Sequence, residues 1–205
     1  PAGLGANIHT SLSGVVEAIT EMDIVVKLDK EQTDDYVRLE KTDDYLQKIK
    51  DAGIVGVGGA GFPTGIKFST QIPGGYLIAN AAECEPILGH NVKFMEEQPE
   101  VLVRGMKYIM ELTGAKEGYI AIKTKYRKAL LALGKACKNE PNISIKILPN
   151  MYPAGDERVI VRETLGVILQ PGQLPLEANA IISNVETIKH VVNAIEDDKP
   201  LIDKD

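Results

Sequence analysis

The residues best suited to chemistry lie in one glycine-rich stretch, residues 56–67, which reads GVGGAGFPTGIK. Its five glycines within ten residues leave the backbone free to approach an anion closely and to donate several N–H groups to it. Lys67 adds a cation, and Pro63 suits the first turn of a helix whose amino end would face the anion. The stretch therefore favours a phosphate-binding loop over the simpler alternative, a tight turn between two elements.

The same glycines also fit the dinucleotide fingerprint, with Gly56, Gly58 and Gly61 at the required spacing. That fingerprint needs a hydrophobic strand in front of it, whereas residues 45–52 place their apolar side chains at helical spacing. Glu83 stands about 20 positions further on, where such folds place an acidic residue. A flavin-free NAD oxidoreductase of the Rossmann type thus stays open as a weaker alternative.

Three further polar segments follow predicted strands, at the edge of a parallel sheet where ligands bind. They are residues 80–86 (NAAECEP), 152–158 (YPAGDER) and 184–187 (NVET). Taken alone, each is more often a helix cap than a binding site, but their recurrence predicts one crevice shared with the glycine-rich stretch. Cys84 has no predicted general base, since the nearest histidine, His90, is only six residues away along the chain. No catalytic residue and no metal site are predicted.

Strands and helices alternate after the glycine-rich stretch, which predicts an α/β fold with a largely parallel, Rossmann-like sheet and helices on both faces. The predicted strands are residues 76–80, 118–122, 143–148 and 180–183. The predicted helices are residues 44–52, 100–112, 126–137, 156–165 and 185–195. The carboxyl ends of these strands are where we expect the binding site.

A small β appendage is predicted ahead of this domain. Its strands are expected at residues 8–12, 15–19 and 23–27, with a turn or bulge at 13–14. The chain is divided into a β appendage at 1–28 (part of a lipoyl-like half barrel), an acidic linker at 29–43, an α/β domain at 44–196 that holds the glycine-rich stretch and the predicted crevice, and a tail at 197–205 that leads to a missing C-terminal region. His9 is interpreted as structural.

The composition is that of a soluble globular protein, with 44% apolar and 25% charged residues among 205. No apolar run approaches the ~18 residues of a membrane span, and no signal peptide is recognisable. Two cysteines, Cys84 and Cys137, cannot build a disulfide framework, a zinc site or an iron–sulfur cluster by themselves. A reduced, cytoplasmic compartment fits best.

Charge is unevenly distributed in this acidic chain, whose formal net charge is −6. Residues 116–138 hold seven basic residues against Glu117 alone. A solvated helix face is the simpler interpretation of this run, and docking of an acidic redox partner is the alternative. Nucleic-acid binding is not predicted, since the net charge is negative and aromatic residues are sparse.

The glycine-rich stretch, the segment NAAECEP and the segment NVET together resemble one family in their order and spacing. It is the FMN- and NADH-binding flavoprotein subunit shared by respiratory complex I and the C subunit of the Rnf complex, and the resemblance covers about residues 42–195. The segment YPAGDE and the β appendage look closer to the Rnf branch, which includes the electron carriers of proline reductase and cobalamin reductase.

The resemblance implies a role for each matching residue. FMN would be bound by Gly56, Gly58, Gly59, Lys67, Asn80, Glu83, Asn184 and Thr187, and NADH by Phe62, Glu85 and Glu157. The family pattern is broken at three positions. Ala82 stands where the complex I branch has an aspartate that contacts the flavin, Cys84 replaces a serine, and Asp156 stands where glutamate or glycine is commoner.

By the same resemblance, the chain is expected to pass a hydride from NADH to FMN and then single electrons to an iron–sulfur acceptor held outside it. The implied partners are other subunits of an electron-transfer complex or a reductase, with ferredoxin among the candidates. The implied location is cytoplasmic, peripheral on the cytoplasmic face of a membrane complex, without direct membrane insertion. A non-catalytic assembly domain that keeps the fold without cofactors is the alternative, and Ala82 favours it.

Overall fold

The computed structural model describes residues 3–85 and 87–203. Its strands are β1 (Gly14–Ile19), β2 (Ile24–Leu28), β3 (Tyr76–Ala81), β4 (Glu117–Lys123), β5 (Ile143–Leu148) and β6 (Ala180–Asn184). Its helices are α1 (Tyr45–Asp51), α2 (Thr64–Phe68), α3 (His90–Glu97), α4 (Pro99–Thr113), α5 (Arg127–Ala136), α6 (Glu157–Leu165) and α7 (Val185–Glu196), with a 3-10 turn at Pro175–Ala178. Within the described ranges, no helix combines the length and the hydrophobicity needed to cross a bilayer.

Four parallel strands form the central sheet in the order β5, β4, β3, β6. The chain continues from β3 to β4 on one side and returns as β6 on the other, so the strand order reverses between β3 and β6. Ligands bind beyond the carboxyl ends of strands at such a switch point. Asn80 and Asn184 lie there in register on the two neighbouring strands. The predicted α/β fold with a parallel sheet is confirmed.

The strands are apolar along most of their length because both faces of the sheet are covered. Their alternate side chains enter two separate clusters of buried residues. Ile120 and Ile122 pack into the larger cluster, which contains side chains from α1 to α5 and from α7. Ala121, between them, packs into the smaller cluster together with α6. The helices therefore cover both faces, as predicted, but very unequally.

Helix α3 is absent from the predicted elements. Its sequence, HNVKFMEE, is mostly polar, and it begins after Gly89 without a hydrogen bond from a capping side chain. Phe94 and Met95 are its only buried apolar residues, so one short turn carries the whole hydrophobic signal. The helix was not predicted because tertiary packing of two side chains stabilises a segment with little helical periodicity of its own.

The predicted strand at residues 8–12 is also wrong, because this segment lies against the end of α1 instead of pairing with a strand. Asn7 donates a hydrogen bond through Nδ2 to the carbonyl of Asp51 at 3.2 Å, and Nε2 of His9 lies 2.9 Å from the same oxygen. A helix leaves its last carbonyls without internal partners, and these two side chains satisfy one of them. His9 accordingly has a structural contact.

Strands β1 and β2 form an antiparallel hairpin with a bulge between Val16 and Ala18, and nearly all of their side chains are exposed. Residues 29–43, all of them described, contain no helix or strand. The amide of Leu39 in this segment donates to the carbonyl of Asp198 at 2.8 Å. The division into regions at 1–28, 29–43, 44–196 and 197–205 stays a prediction.

Helix α4 crosses α7 closely at Gly105. A β-carbon there would lie 2.5 Å from Cγ2 of Ile188 and 2.9 Å from Cγ2 of Val192. We expect Gly105→Ala to lower the free energy of unfolding by about 1–3 kcal/mol, because branched side chains cannot move aside cheaply.

Gly134 in α5 is the matched control, since its added methyl meets no atom within 4 Å. Gly134→Ala should raise stability by about 0.5–1 kcal/mol. Urea unfolding measures both, and equal effects would contradict the close crossing.

Candidate functional site

Backbone contacts close the glycine-rich stretch into a loop. The amide of Gly56 donates to the carbonyl of Phe62 at 2.9 Å, and Val55 forms an antiparallel bridge with Pro63. Residues 57–61 therefore project from a clamped base. Between α1 and this loop, all residues are described and none belongs to a strand longer than that single bridge. The strand that the dinucleotide fingerprint requires is missing, which weighs against a flavin-free Rossmann site.

The loop is anchored on the amino end of α7. The amide of Val57 donates to Oγ1 of Thr187 at 3.1 Å. Gly58 has a φ of +74°, and a β-carbon there would lie 3.4 Å from Nδ2 of Asn184. At Gly59 and Gly61, by contrast, a β-carbon would meet no atom within 4 Å. One side of the loop is thus packed against the sheet edge, and the other side is open to a ligand.

Asn184 ends β6 and caps α7. Its side-chain oxygen accepts a hydrogen bond from the amide of Glu186 at 2.8 Å, as a helix cap does. Because α7 begins directly at the carboxyl edge of the sheet, the positive end of its dipole faces the crevice beside the glycine loop. The structure therefore brings Gly58, Asn184 and Thr187, which the sequence assigned to one ligand, to one point.

Asn80, at the end of the neighbouring strand β3, connects two other predicted segments. Its Oδ1 accepts from the amide of Ala82 at 3.1 Å, and its Nδ2 donates to the carbonyl of Gly155 at 3.0 Å. Asp156 then caps α6 by accepting from the amides of Arg158 and Val159 at 3.0 and 3.3 Å. The segments that follow β3 and precede α6 are consequently held together beside the crevice.

Lys67 and Glu157 form an ion pair at 3.3 Å across the rim of the site. Their side chains are 35% and 46% exposed, so the pair contributes little to stability. The sequence assigned Lys67 to a flavin and Glu157 to a nicotinamide nucleotide. Their contact places both predicted positions at one rim, at the end of the crevice formed by α2 and α6.

A buried lysine that the sequence interpretation missed organises the segment after β3. Lys123 is only 4% exposed, and its ammonium donates to the carbonyl of Glu83 at 3.0 Å and to Sγ of Cys84 at 3.3 Å. Sγ of Cys84 also accepts from the amide of Gly155 at 3.3 Å. The sequence feature that could have indicated this role is a lysine directly after the apolar residues 119–122 of β4. Cys84 thus acts as a hydrogen-bond acceptor in the fold.

Three other residues predicted to contact ligands, two of them acidic and one aromatic, differ in how exposed their side chains are. The Glu83 carboxylate is engaged locally, accepting from the amide of Glu85 at 3.2 Å and from Nδ2 of Asn91 at 3.1 Å. Glu85 is exposed, and Phe62 is 45% exposed. A cavity of about 390 Å³ borders Glu85, and its walls come from the segment after β3, from α3 and from the start of α5. None of the lining residues belongs to the glycine loop.

Glu186 is the centre of a buried charged cluster that the sequence interpretation did not identify. Its carboxylate lies 3.2 Å from Nε2 of His90 at the start of α3, and 3.6 Å from Nε2 of His190 one turn along α7. His90 therefore pairs with Glu186 and not with Cys84. Burial alone raises the pKa of the Glu186 carboxyl, but the charges of His190 and His90, together with the hydrogen bond to His90, outweigh it, so this pKa lies below its usual value. The spacing of Glu186 and His190 by one helical turn was the only sequence signal.

The arrangement of loop, strand ends and helix ends is matched by a known domain. Residues 49–193 match the Nuo51 FMN-binding domain. The chain belongs to this family. The contacts that build the site, from Val57 to Thr187 and from Lys67 to Glu157, all fall inside the range that matches the Nuo51 FMN-binding domain.

Two curated relatives illustrate how the Nuo51-type domain occurs in longer proteins. The cobalamin reductase PduS of Salmonella typhimurium is 40% identical over 159 residues, which are 78% of this chain and 34% of that protein. The C subunit of the Na(+)-translocating ferredoxin:NAD(+) oxidoreductase complex of Acetobacterium woodii is 33% identical over 214 residues, covering 95% of this chain and 48% of that protein. The chain thus spans about a third to a half of the length of these relatives.

The Nuo51-type fold is also found among solved structures. An NAD+-reducing [NiFe]-hydrogenase in the air-oxidized state is similar to this chain with a TM-score of 0.61 and 26% sequence identity. The similarity covers 74% of this chain and 30% of the hydrogenase chain. The resemblance to the complex I and Rnf flavoprotein family, inferred from the motifs, is confirmed by the family match and by these relatives.

The buried cluster predicts a pH-dependent stability. Because the pKa of Glu186 is lower in the folded chain than its unfolded value of 4.5, the folded state gains stability above pH 4.5 and loses it as the pH falls through the folded pKa. We expect Glu186→Gln to lower the free energy of unfolding by about 1–3 kcal/mol at neutral pH, with the difference from the native chain narrowing below pH 4.5.

Urea unfolding at several pH values measures this difference. The matched control is Glu97→Gln on α3, whose carboxylate is 58% exposed and lies 3.8 Å from Lys93. Its effect should stay below about 0.5 kcal/mol at every pH, as for exposed ion pairs in general. A Glu186→Gln effect that is as small as the control, or that does not change with pH, contradicts the assigned cluster.

Proposed function

We propose that this chain is the FMN-binding, NADH-oxidising module of a larger electron-transfer protein or complex. The observation that carries the proposal is the contact of the glycine loop with the amino end of α7, at the switch point of the parallel sheet. Backbone amides, a helix dipole and an open loop surface meet there, which is how proteins hold a phosphate without a dedicated charged cage.

The residues present fit FMN. The space above Gly59 and Gly61 is open, and a side chain at Gly58 would enter the gap in front of Asn184. The FMN-binding residues we propose are Gly56, Gly58, Gly59, Lys67, Asn80, Glu83, Asn184 and Thr187. Asn184 and Thr187 would hold the phosphate at the α7 end, where its negative charge is stabilised by the dipole. When bound, FMN accepts a hydride from a nicotinamide and releases electrons one at a time.

For NADH we propose Phe62, Glu85 and Glu157 as contacts. All three side chains are exposed, an aromatic face can stack on a ring, and carboxylates can accept from ribose hydroxyls. An anionic group at Lys67 would compete with Glu157 for the ammonium and would leave the Glu157 carboxylate available to NADH. One of the solved structures similar to this chain is an NAD+-reducing hydrogenase, and this similarity supports a nicotinamide nucleotide as the substrate.

The electron acceptor in this proposal is an iron–sulfur cluster outside the chain. The relatives support the setting, since one is a subunit of a ferredoxin:NAD(+) oxidoreductase complex and another is a reductase. We accordingly propose other subunits of such a complex or reductase as partners, ferredoxin as a candidate carrier, and a peripheral position on the cytoplasmic face of a membrane complex. The competing proposal is an assembly domain without cofactors, which rests on the alanine at position 82.

One experiment separates the two proposals. The full-length protein is incubated with FMN, desalted and examined by absorption spectroscopy, and NADH is then added without oxygen. We expect retained flavin absorbance that bleaches with NADH, because both nucleotides find their contacts in this chain. Retention without bleaching would contradict NADH as the reductant. Loss of all flavin on desalting would contradict the FMN module and favour the assembly role.

The glycine loop itself is tested by a pair of substitutions with the same backbone cost. Gly58 and Gly74 have φ values of +74° and +72°, so alanine is strained equally at both positions, by about 1–2 kcal/mol. Only the methyl at Gly58 enters the proposed cradle, whereas that at Gly74 meets no atom within 4 Å. We expect Gly58→Ala to weaken FMN binding about tenfold or more and Gly74→Ala to leave it unchanged, as measured by fluorescence titration. Equal affinities of the two variants for FMN would contradict the proposed binding of FMN at the glycine loop.

A further inference from the structure

Helix α5 carries a strongly basic exposed face. The residues that define this α5 basic face are Arg127, Lys128, Leu131, Lys135 and Lys138, all exposed. With about 3.6 residues per turn the four that belong to α5 fall within roughly a third of the helix circumference, with Leu131 near the middle of the arc, and Lys138 follows the end of the helix. Leu131 is 69% exposed, so an apolar side chain stands at the centre of a ring of cations.

These cations have no acidic partners within the described part of the chain. Some surface cations on other elements are paired, as Arg104 is with Glu196 at 2.8 Å and Lys107 with Glu140 at 3.0 Å. Glu140, the acid that follows α5, is therefore already engaged. None of the ion pairs between described residues includes a residue of the α5 basic face. The unpaired positive charge stands on a chain whose net charge is −6.

The placement of two of the charges is unfavourable for the helix. Arg127 and Lys128 occupy the first turn of α5, which contains no acidic residue, and they face the positive end of the helix dipole. A solvated helix that served only the fold would place acids there and pair them with lysines one turn further on. Arg127 and Lys128 therefore work against the stability of α5, whereas Lys135 in its last turn is favourably placed, and a binding role explains the two unfavourable charges.

The face also adjoins the site. Helix α5 starts just after β4, at the carboxyl edge of the sheet where the crevice opens. Lys125 and Tyr126, immediately before the helix, line the cavity of about 390 Å³ that also borders Cys84 and Glu85. A protein bound to the α5 basic face would consequently lie beside the segment that follows β3.

We propose that the α5 basic face is a docking surface for the acidic face of a small one-electron carrier protein. The inference rests on the proposed function, which requires an electron acceptor outside the chain. A helix of ten residues is about 15 Å long, and such a small, charged contact suits the transient complexes of electron transfer. Long-range attraction between opposite charges would speed the encounter of the two proteins.

Two other anionic partners fit the face less well. A membrane-binding helix inserts a broad apolar face, whereas the apolar residues Ala129 and Leu133 of α5 are buried in the core and only Leu131 is exposed. Single-stranded nucleic acids are held by aromatic side chains on which bases stack, and the α5 basic face has none.

The test uses the full-length, FMN-loaded protein and an acidic two-cluster ferredoxin as the probe. Association is measured by stopped-flow or surface-binding kinetics at low and high salt. We expect Lys128→Glu with Lys135→Glu to slow association about tenfold or more at low salt, with the difference shrinking as salt rises. The matched control, Lys30→Glu with Lys41→Glu, introduces the same change of charge at two exposed positions ahead of α1 and should stay within about twofold of the native chain.

Leu131→Ala should speed dissociation severalfold with little change in the association rate, because it removes an apolar contact without removing charge. The proposal is overturned if the two double variants behave alike, or if anionic vesicles or an oligonucleotide bind through Lys128 and Lys135 while ferredoxin does not. Flavin retention and bleaching by NADH are recorded for every variant. A native chain that binds ferredoxin through this face but is not bleached by NADH contradicts the proposed function alone, and the reverse result contradicts the docking surface alone.

Discussion

The hydrogen bond from the Val57 amide to the Thr187 hydroxyl joins two residues that are 130 positions apart, and the candidate site depends on it. Fixing the backbone of a glycine-rich loop costs about 1–2 kcal/mol per residue, whereas a single hydrogen bond contributes only about 0.5–1.5 kcal/mol. This hydrogen bond therefore cannot order the loop by itself. The bridge of Val55 with Pro63 and the burial of Phe68 in α2 hold the base, so the hydrogen bond has only to orient the tip.

The buried charge at the edge of the crevice is likewise stabilised by hydrogen-bond acceptors close to it. Within the described residues, Lys123 has no carboxylate partner, and its charge is balanced by the carbonyl of Glu83 and the sulfur of Cys84. An unpaired buried ammonium costs several kcal/mol, so these acceptors are needed for the fold. A sulfur atom, larger than a hydroxyl oxygen, accepts here from both Lys123 and the Gly155 amide at 3.3 Å. The cysteine that stands in place of a serine thus joins β4 to the α6 segment.

The parts of the fold that could be predicted from sequence are those whose signal is local. Strand β5 is recovered with its exact bounds because an apolar run lies between turn residues, and α7 is recovered almost completely because Asn184 caps an amphipathic pattern. The glycine loop was recognisable from glycine spacing. Helix α3 was missed because its sequence lacks periodicity. The Glu186 cluster and the Lys123 contacts were missed because they join residues from different elements, and no property of either residue alone indicates its partner.

The chain's two cysteines show why the binding site and the electron acceptor must be separate. An iron–sulfur cluster takes four thiolate ligands, and the chain has only Cys84 and Cys137. Cys84 already accepts two hydrogen bonds in the fold, and burial, reinforced by Glu140, raises the pKa of the Cys137 thiol and disfavours its thiolate. The contacts that build the crevice all lie within residues 49–193. Electrons that leave such a site have to reach a cluster held by other residues, and the proposed function therefore requires a contact surface as well as a crevice.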